Sequence, residues 1–381
     1  MLIKRLVSVI LSVLLIVPMC AISVFALSED EISSPSAVLM EPSSKKILFE
    51  KNPHEERACA SITKVMTLLI VMEAIEEGVI GYDDVVTTSE HAKSMGGSDI
   101  WLEVGEQMTV DEMIKATAVA SANDAAVALA EHLCGTEDEF VARMNERAKE
   151  LGMEHTVFKN CNGLDEEGHL TCAYDVALMS CELMKHEKIF DYTTIWLDTL
   201  RGGETQIVNT NKLLKSYDGI TGLKTGTTGD AGSCISATAE RNGMSLCAVV
   251  LGAVTGTERF KDAAVLLDYG FANYEVLKFD ATENKLSTIE VKNGMQKQVK
   301  LECSGATDMV VTKGSGEKIE QTITLSESID APVKKGTKVG TLTYALDSNE
   351  VASFDILTTE EVEKMSFSAV LAELFSALIA L

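Results

Sequence analysis

Several chemistries are missing from this sequence. It contains no Cys-x-x-Cys and no His-Glu-x-x-His, and its six histidines form no cluster with cysteine, so no metal site is expected. Basic residues are scarce: 33 Lys and Arg stand against 58 Asp and Glu, a formal net charge of −25. Such a surface repels phosphate backbones and anionic headgroups, so nucleic acid is excluded as an expected partner. Past the N-terminus no apolar run is long enough to span a bilayer, and no internal repeat or low-complexity tract is present. A phosphate-binding loop is absent too: around Gly219–Thr225, Leu223 separates Gly222 from Lys224, so G-x-x-x-x-G-K-[ST] fails.

What is present begins with an export signal. Lys4 and Arg5 precede the apolar run Leu6–Val17, and Val24-Phe25-Ala26 supplies a cleavage site, so residues 1–26 are expected to be removed. The remaining chain has 31 basic and 58 acidic residues and is large enough for one sizeable core plus a smaller domain. Its eight cysteines, Cys59, Cys134, Cys161, Cys172, Cys181, Cys234, Cys247 and Cys303, mostly lie in apolar or helical stretches and are expected to be buried free thiols.

Residues 36–50 read as a strand hairpin turning at PSSKK (42–46). A long helical pattern follows, from Ser61 through Val65, Met66, Leu68, Leu69, Met72 and Ile75 to Gly78. Thr109-Val110-Asp111-Glu112 is a capping box opening a helix that is interrupted at Ser121-Ala122-Asn123-Asp124 and resumes at Ala125–Leu133. Further helices are expected over 137–151, 173–186 and Glu258–Gly270, with a buried strand at 244–254. From Val276 to Asp355, short alternating runs such as LSTIEV and TLTYAL read as a separate small all-β domain. In the tail FSAVLAELFSALIAL (367–381), Phe367, Val370, Leu371, Leu374, Phe375 and Leu378 share one helical stripe, suited to lying in a membrane interface.

Ser-x-x-Lys occurs at Ser43-Lys46, Ser61-Lys64 and Ser315-Lys318, but only at Ser61 does a helix follow, which puts Lys64 on the same face. Taken alone, Ser61 reads as readily as a helix cap. Two further strings change that: Ser121-Ala122-Asn123 at a helix break, and Lys224-Thr225-Gly226 entering a strand. The ordered trio Ser-x-x-Lys, Ser-x-Asn, Lys-Thr-Gly resembles that of penicillin-binding proteins and class A β-lactamases. With SANDAAVALAEH (121–132), MNERAKELGMEHTVFKNCNGL (144–164), NTNKLL (209–214) and GLKTGTTGDAGSC (222–234), the chain resembles the low-molecular-weight penicillin-binding proteins of the peptidase S11 family, the serine D-alanyl-D-alanine carboxypeptidases, over roughly residues 30–275.

The resemblance implies an α/β (α+β) penicillin-binding-protein-like transpeptidase fold at 27–275, a β-rich domain at 276–358 and an amphipathic anchor at 359–381. It implies removal of the last D-alanine from peptidoglycan stem peptides, acylation by β-lactams, no cofactor, and a location on the outer membrane face or in the wall. Ser61 would be the nucleophile and Lys64 its base, with burial and the cation of Lys224 lowering the Lys64 pKa. Ser121 would relay a proton and Asn123 orient substrate and Lys64. Lys224, Thr225, Gly226, Thr227 and Arg259 would receive the substrate and its carboxylate, with the Ser61 and Thr227 N–H groups as oxyanion site. His169 is left outside the catalytic set. Cys59 stands where the family often has proline, placing an oxidisable thiol two residues from Ser61. A β-lactamase and a non-catalytic penicillin sensor remain as alternatives, as does a binding role for residues 276–355.

Overall fold

The computed structural model describes residues 27–284 and 286–379; the expected export signal at 1–26 lies outside the described residues. Strands β1 (Ser36–Glu41) and β2 (Lys46–Lys51) form the hairpin turning at 42–45. They join β3 (Ile220–Thr228), β4 (Gly232–Arg241) and β5 (Met244–Ala253) in one antiparallel sheet of order β2-β1-β5-β4-β3. Successive side chains on a strand face opposite ways, and both faces here are covered. On β1, Val38 and Met40 enter a helical core while Ala37 and Leu39 face the other way. On β5 the split is Cys247, Val249 and Leu251 against Leu246, Ala248 and Val250. This is why β5 reads as an unbroken apolar run.

The helical side is built from α1 (Lys64–Glu76), α2 (Val110–Lys115), α3 (Asn123–Cys134), α4 (Glu137–Leu151) and α5 (Ala173–Leu183). Every residue of α1 from Lys64 to Met72 is buried, so it is a central core helix and not an amphipathic surface one. The other face of the sheet is closed by α6 (Gly256–Asn273), whose start is a capping box between Thr255 and Glu258. It starts before the expected Glu258 because Thr255 caps it, and it runs past Gly270 to Asn273.

Eight strands follow among the described residues. β6 (Tyr274–Asp280) pairs with β9 (Ala306–Thr312). β7 (Thr288–Lys292), β8 (Gln298–Cys303), β10 (Ile319–Leu325), β11 (Ser328–Asp330), β12 (Lys338–Leu346) and β13 (Asn349–Thr358) form a six-stranded sheet of order β10-β12-β13-β8-β7-β11. Ile289, Val299, Leu342 and Ile356 belong to a third core beneath it. A last helix, α7, covers Phe367–Ile379. No helix among the described residues is long and apolar enough to cross a membrane.

Candidate active site

The nucleophile candidate does not begin an α-helix. Residues Ala60–Thr63 form a 3-10 turn, α1 starts at Lys64, and neither N-cap position carries a side-chain cap. Ser61 is therefore not a capping serine. Ala60 just before it has φ +51°, the left-handed region that non-glycine residues seldom occupy. Two glycines make room for this turn. A Cβ on Gly163 would meet the Ala60 carbonyl oxygen at 2.0 Å, and one on Gly226 would meet the Cys59 oxygen at 2.7 Å and the Ser61 nitrogen at 2.9 Å. Strand β3 thus runs directly against the backbone of the nucleophile.

One turn along, the Lys64 side chain is fully buried. Its Nζ donates to Ser61 Oγ at 3.0 Å, to Asn123 Oδ1 at 2.5 Å and to the Asn162 carbonyl at 2.6 Å. Burial pushes its pKa down from 10.5 to about 7, opposed by the nearby Cys161, Asp99, Asp124 and Cys59. The expected repulsion between Lys64 and Lys224 is mutual and depresses Lys224 as well. That buried amine is lowered first by desolvation, then by the cations of Lys64 and Arg259. Charging both amines together is what the site opposes.

The break between α2 and α3 places the second motif. After a π-helical turn at Ala116–Ala120, Ser121 adopts φ +61°, Ala122 is extended, and α3 restarts at Asn123. The interruption is confined to Ser121 and Ala122, two residues shorter than expected, because Asn123 and Asp124 already have helical bonds. Ser121 Oγ accepts from Lys224 Nζ at 2.8 Å. Asn123 is held by its Nδ2 donating to the Gly96 carbonyl and its backbone N–H to that of Ser98, both at 2.6 Å.

On β3, Lys224 Nζ also donates to the Thr225 carbonyl at 2.9 Å, and Thr225 Oγ1 donates to Thr210 Oγ1 at 2.7 Å. Arg259 on α6 is buried. Its Nη1 donates to the Gly226 carbonyl at 2.7 Å, to Thr227 Oγ1 at 2.8 Å and to the Cys234 carbonyl at 3.2 Å. Its Nε is buried with no partner, and no carboxylate pairs with it among the described residues. This guanidinium is not a surface salt bridge; it is an unneutralised cation behind Gly226 and Thr227. The hydroxyls of Ser61, Ser121, Thr225 and Thr227 and three basic side chains line one cleft in an otherwise acidic protein.

The structure thus forms two hydrogen-bonded groups, Ser61–Lys64–Asn123 and Ser121–Lys224, with Thr225, Gly226, Thr227 and Arg259 along the β3 side. Three contributors were not singled out in the sequence. Asn162 acts through a backbone carbonyl and Thr210 through a hydroxyl at one remove, so neither carries a spacing signal. Asp124 holds the loop beside the site by accepting from the N–H groups of Ile100 and Leu102. His169 does not reach Ser61: its Nε2 bonds Thr63 Oγ1 at 2.8 Å, and its Nδ1 accepts from the Lys159 N–H at 3.1 Å. Burial pushes its pKa down to about 4, so the ring is neutral. The Cys59 expectation needs correction. Burial lifts its thiol to about 12, so it is a packed hydrophobe and not an oxidisable thiolate. All eight cysteines of the described residues are free. Among those residues, no group of three or more His, Cys, Asp or Glu could hold a metal ion.

A family model described as D-alanyl-D-alanine carboxypeptidase (peptidase S11) matches residues 23–255, and one described as penicillin-binding protein 5, C-terminal domain, matches 274–364. D-alanyl-D-alanine carboxypeptidase DacF of Bacillus subtilis is 44% identical over 336 residues, covering 87% of this chain and 86% of the relative. Penicillin-binding protein 5 from Haemophilus influenzae is 30% identical with a TM-score of 0.75, covering 89% of this chain and all of that one. Penicillin-binding protein D2 from Listeria monocytogenes, in an ampicillin-bound form, is 32% identical with a TM-score of 0.58, covering 63% of this chain and 98% of its own.

Proposed function

Because the chain belongs to the D-alanyl-D-alanine carboxypeptidase family, a hydrolase class, we propose that Ser61 removes the terminal D-alanine of peptidoglycan stem peptides through an acyl-enzyme. The observation that carries this reading is the 3.0 Å contact between Ser61 Oγ and a buried Lys64 whose pKa lies near 7. A neutral Lys64 amine accepts the Ser61 proton as Oγ bonds to the carbonyl carbon of the penultimate D-alanine. The N–H groups of Ser61 and Thr227 meet the developing oxyanion. The Ser121 hydroxyl, bonded to Lys224, passes its proton to the leaving nitrogen and takes in exchange the one that Lys64 accepted from Ser61, so D-alanine departs and Lys64 is a neutral amine again. Water then attacks the ester with Lys64 as base and restores Ser61.

The departing residue carries a carboxylate, and the cationic wall of Lys224 and Arg259, with the hydroxyls of Thr225 and Thr227, suits it. A β-lactam presents a strained amide beside a carboxylate and would acylate Ser61 by the same first step. The ampicillin-bound relative supports that extension. We place the enzyme outside the cell membrane, with α7 in contact with the lipid surface. Release of D-alanine from a peptide ending in D-Ala-D-Ala is the test. The protein should release it, and Ser61→Ala should release it on the order of 10³-fold more slowly or worse. A folded parent that binds penicillin but releases nothing would overturn the carboxypeptidase in favour of a sensor.

A further inference from the structure

The loop Ser98–Leu102 runs beside Asn123, and one residue in it is costly to the fold. Trp101 is 79% exposed and sits at φ +56°, a conformation that a bulky residue keeps only when its surroundings impose it. They do so here. The Asp124 carboxylate accepts from the N–H groups of Ile100 and Leu102, the two neighbours of Trp101, at 3.0 to 3.2 Å. The Ile100 carbonyl accepts from Arg201 Nη1 at 3.0 Å, and the Ser98 carbonyl from the Asn123 N–H at 2.6 Å. The backbone is fixed while the indole packs on neither ring nor cation among the described residues. Trp196, by contrast, has Lys215 Nζ 4.9 Å from its ring centroid.

Among the described residues, the carboxylates near Trp101 that no cation pairs with are Asp99 on its loop and Asp124 behind it, while Glu103 and Glu106 are neutralised. The nearby cations are committed, Lys93 to Glu103 and Arg201 to Glu106. An uncovered indole on a fixed backbone next to Asp99, on a loop whose Ser98 carbonyl holds the Asn123 that touches Lys64, is suited to a cation. Building on the carboxypeptidase reading, we propose that Trp101 is a specificity-determining residue that receives a primary ammonium of the stem peptide, on the acyl side of the scissile bond. The contact is a cation–π one, made against the indole face.

Two peptides test this: Nα-acetyl-L-Lys-D-Ala-D-Ala with its ε-amine free, and the same peptide with that amine acetylated. The protein should favour the free amine by roughly two- to tenfold in kcat/KM, mainly through KM. Trp101→Ala should bring the free-amine peptide down to the level of the acetylated one, and Trp101→Phe should keep part of the preference. A preference that survives Trp101→Ala, or none in the parent, overturns the proposal. The same two peptides are titrated into Ser61→Ala with and without Trp101→Ala, and equal binding in all four cases also overturns it. If the parent cleaves neither peptide, the carboxypeptidase reading falls, while this binding arm still decides Trp101.

Discussion

In the proposed reaction Lys64 is the residue on which the chemistry turns, and its titration has a definite sign. The reactive form is the neutral amine, so acylation of Ser61 should rise with pH through about 7 and level off above it. Asp99 and Asp124 work against burial by favouring the ammonium. Asp124 is saturated with backbone N–H donors, whereas Asp99 Oδ1 is buried with no partner. Asp99→Asn deletes one of these charges, so the rising limb should move to lower pH by about half a unit to one unit. The rate of penicillin acylation against pH measures it, and a limb that stays in place would remove Asp99 from the electrostatics of Lys64. At this scale much was legible. Ser61, Lys64, Ser121, Asn123, Lys224 and Thr225 sit in three short strings whose order is distinctive. Asn162 was not, because a backbone carbonyl leaves no mark on residue type. The depression of Lys64 was readable in direction and in its first cause, burial, but the opposing pull of Asp99 and Asp124 was not, because it depends on how the chain folds around α1.

At the scale of elements, Ser61 sits in a strained turn wedged between two glycines. Gly163 has φ +88°, and a Cβ there would overlap the Ala60 oxygen. Gly163→Ala should therefore displace Ala60–Thr63, cost about 2–4 kcal/mol of stability and abolish penicillin labelling of Ser61. Denaturant midpoints together with labelling check both halves; a variant of parental stability that still labels would show that the turn tolerates the shift. His169 pins the same turn through Thr63. Its folded pKa near 4 lies below the ordinary 6.5, so between those values the unfolded chain binds the extra proton. Stability is complete above pH 6.5 and declines as pH falls toward 4, by roughly 3 kcal/mol at the limit. His169→Gln should flatten that decline when midpoints at pH 7 and pH 4.5 are compared with the parent. The helices were visible through periodicity and capping boxes, but the 3-10 turn was not. Ser61 opens an apolar run just as a helix cap does, and only the pressure of Gly163 and β3 on its backbone separates the two.

For the whole molecule, charge and apolar surface divide the labour. The acidic exterior contrasts with three basic side chains, Lys64, Lys224 and Arg259, buried together in the candidate cleft, where in the proposed reaction an anionic peptide terminus would meet Lys224 and Arg259. The two-sided burial of the first sheet and the period-two pattern of β7, β8 and β13 explain why the broad division into a mixed fold and an all-β segment was readable from hydrophobic spacing alone. Helix α7 is the remaining feature, with Phe367, Leu371, Phe375 and Ile379 exposed. Burying four such side chains in an interface supplies roughly 6–12 kcal/mol before the costs of ordering, enough for reversible attachment. Residues 359–381 contain Glu360, Glu361, Glu363 and Glu373 against Lys364 alone, so lipid charge cannot assist. The protein should therefore float with zwitterionic vesicles at least as well as with anionic ones, and salt should strengthen its hold on the anionic kind, because screening relieves repulsion. Deleting residues 367–381 should end flotation and leave D-alanine release intact. Stronger binding to anionic vesicles that salt weakens would instead place the contact on a basic surface elsewhere, and α7 would have to pack on protein.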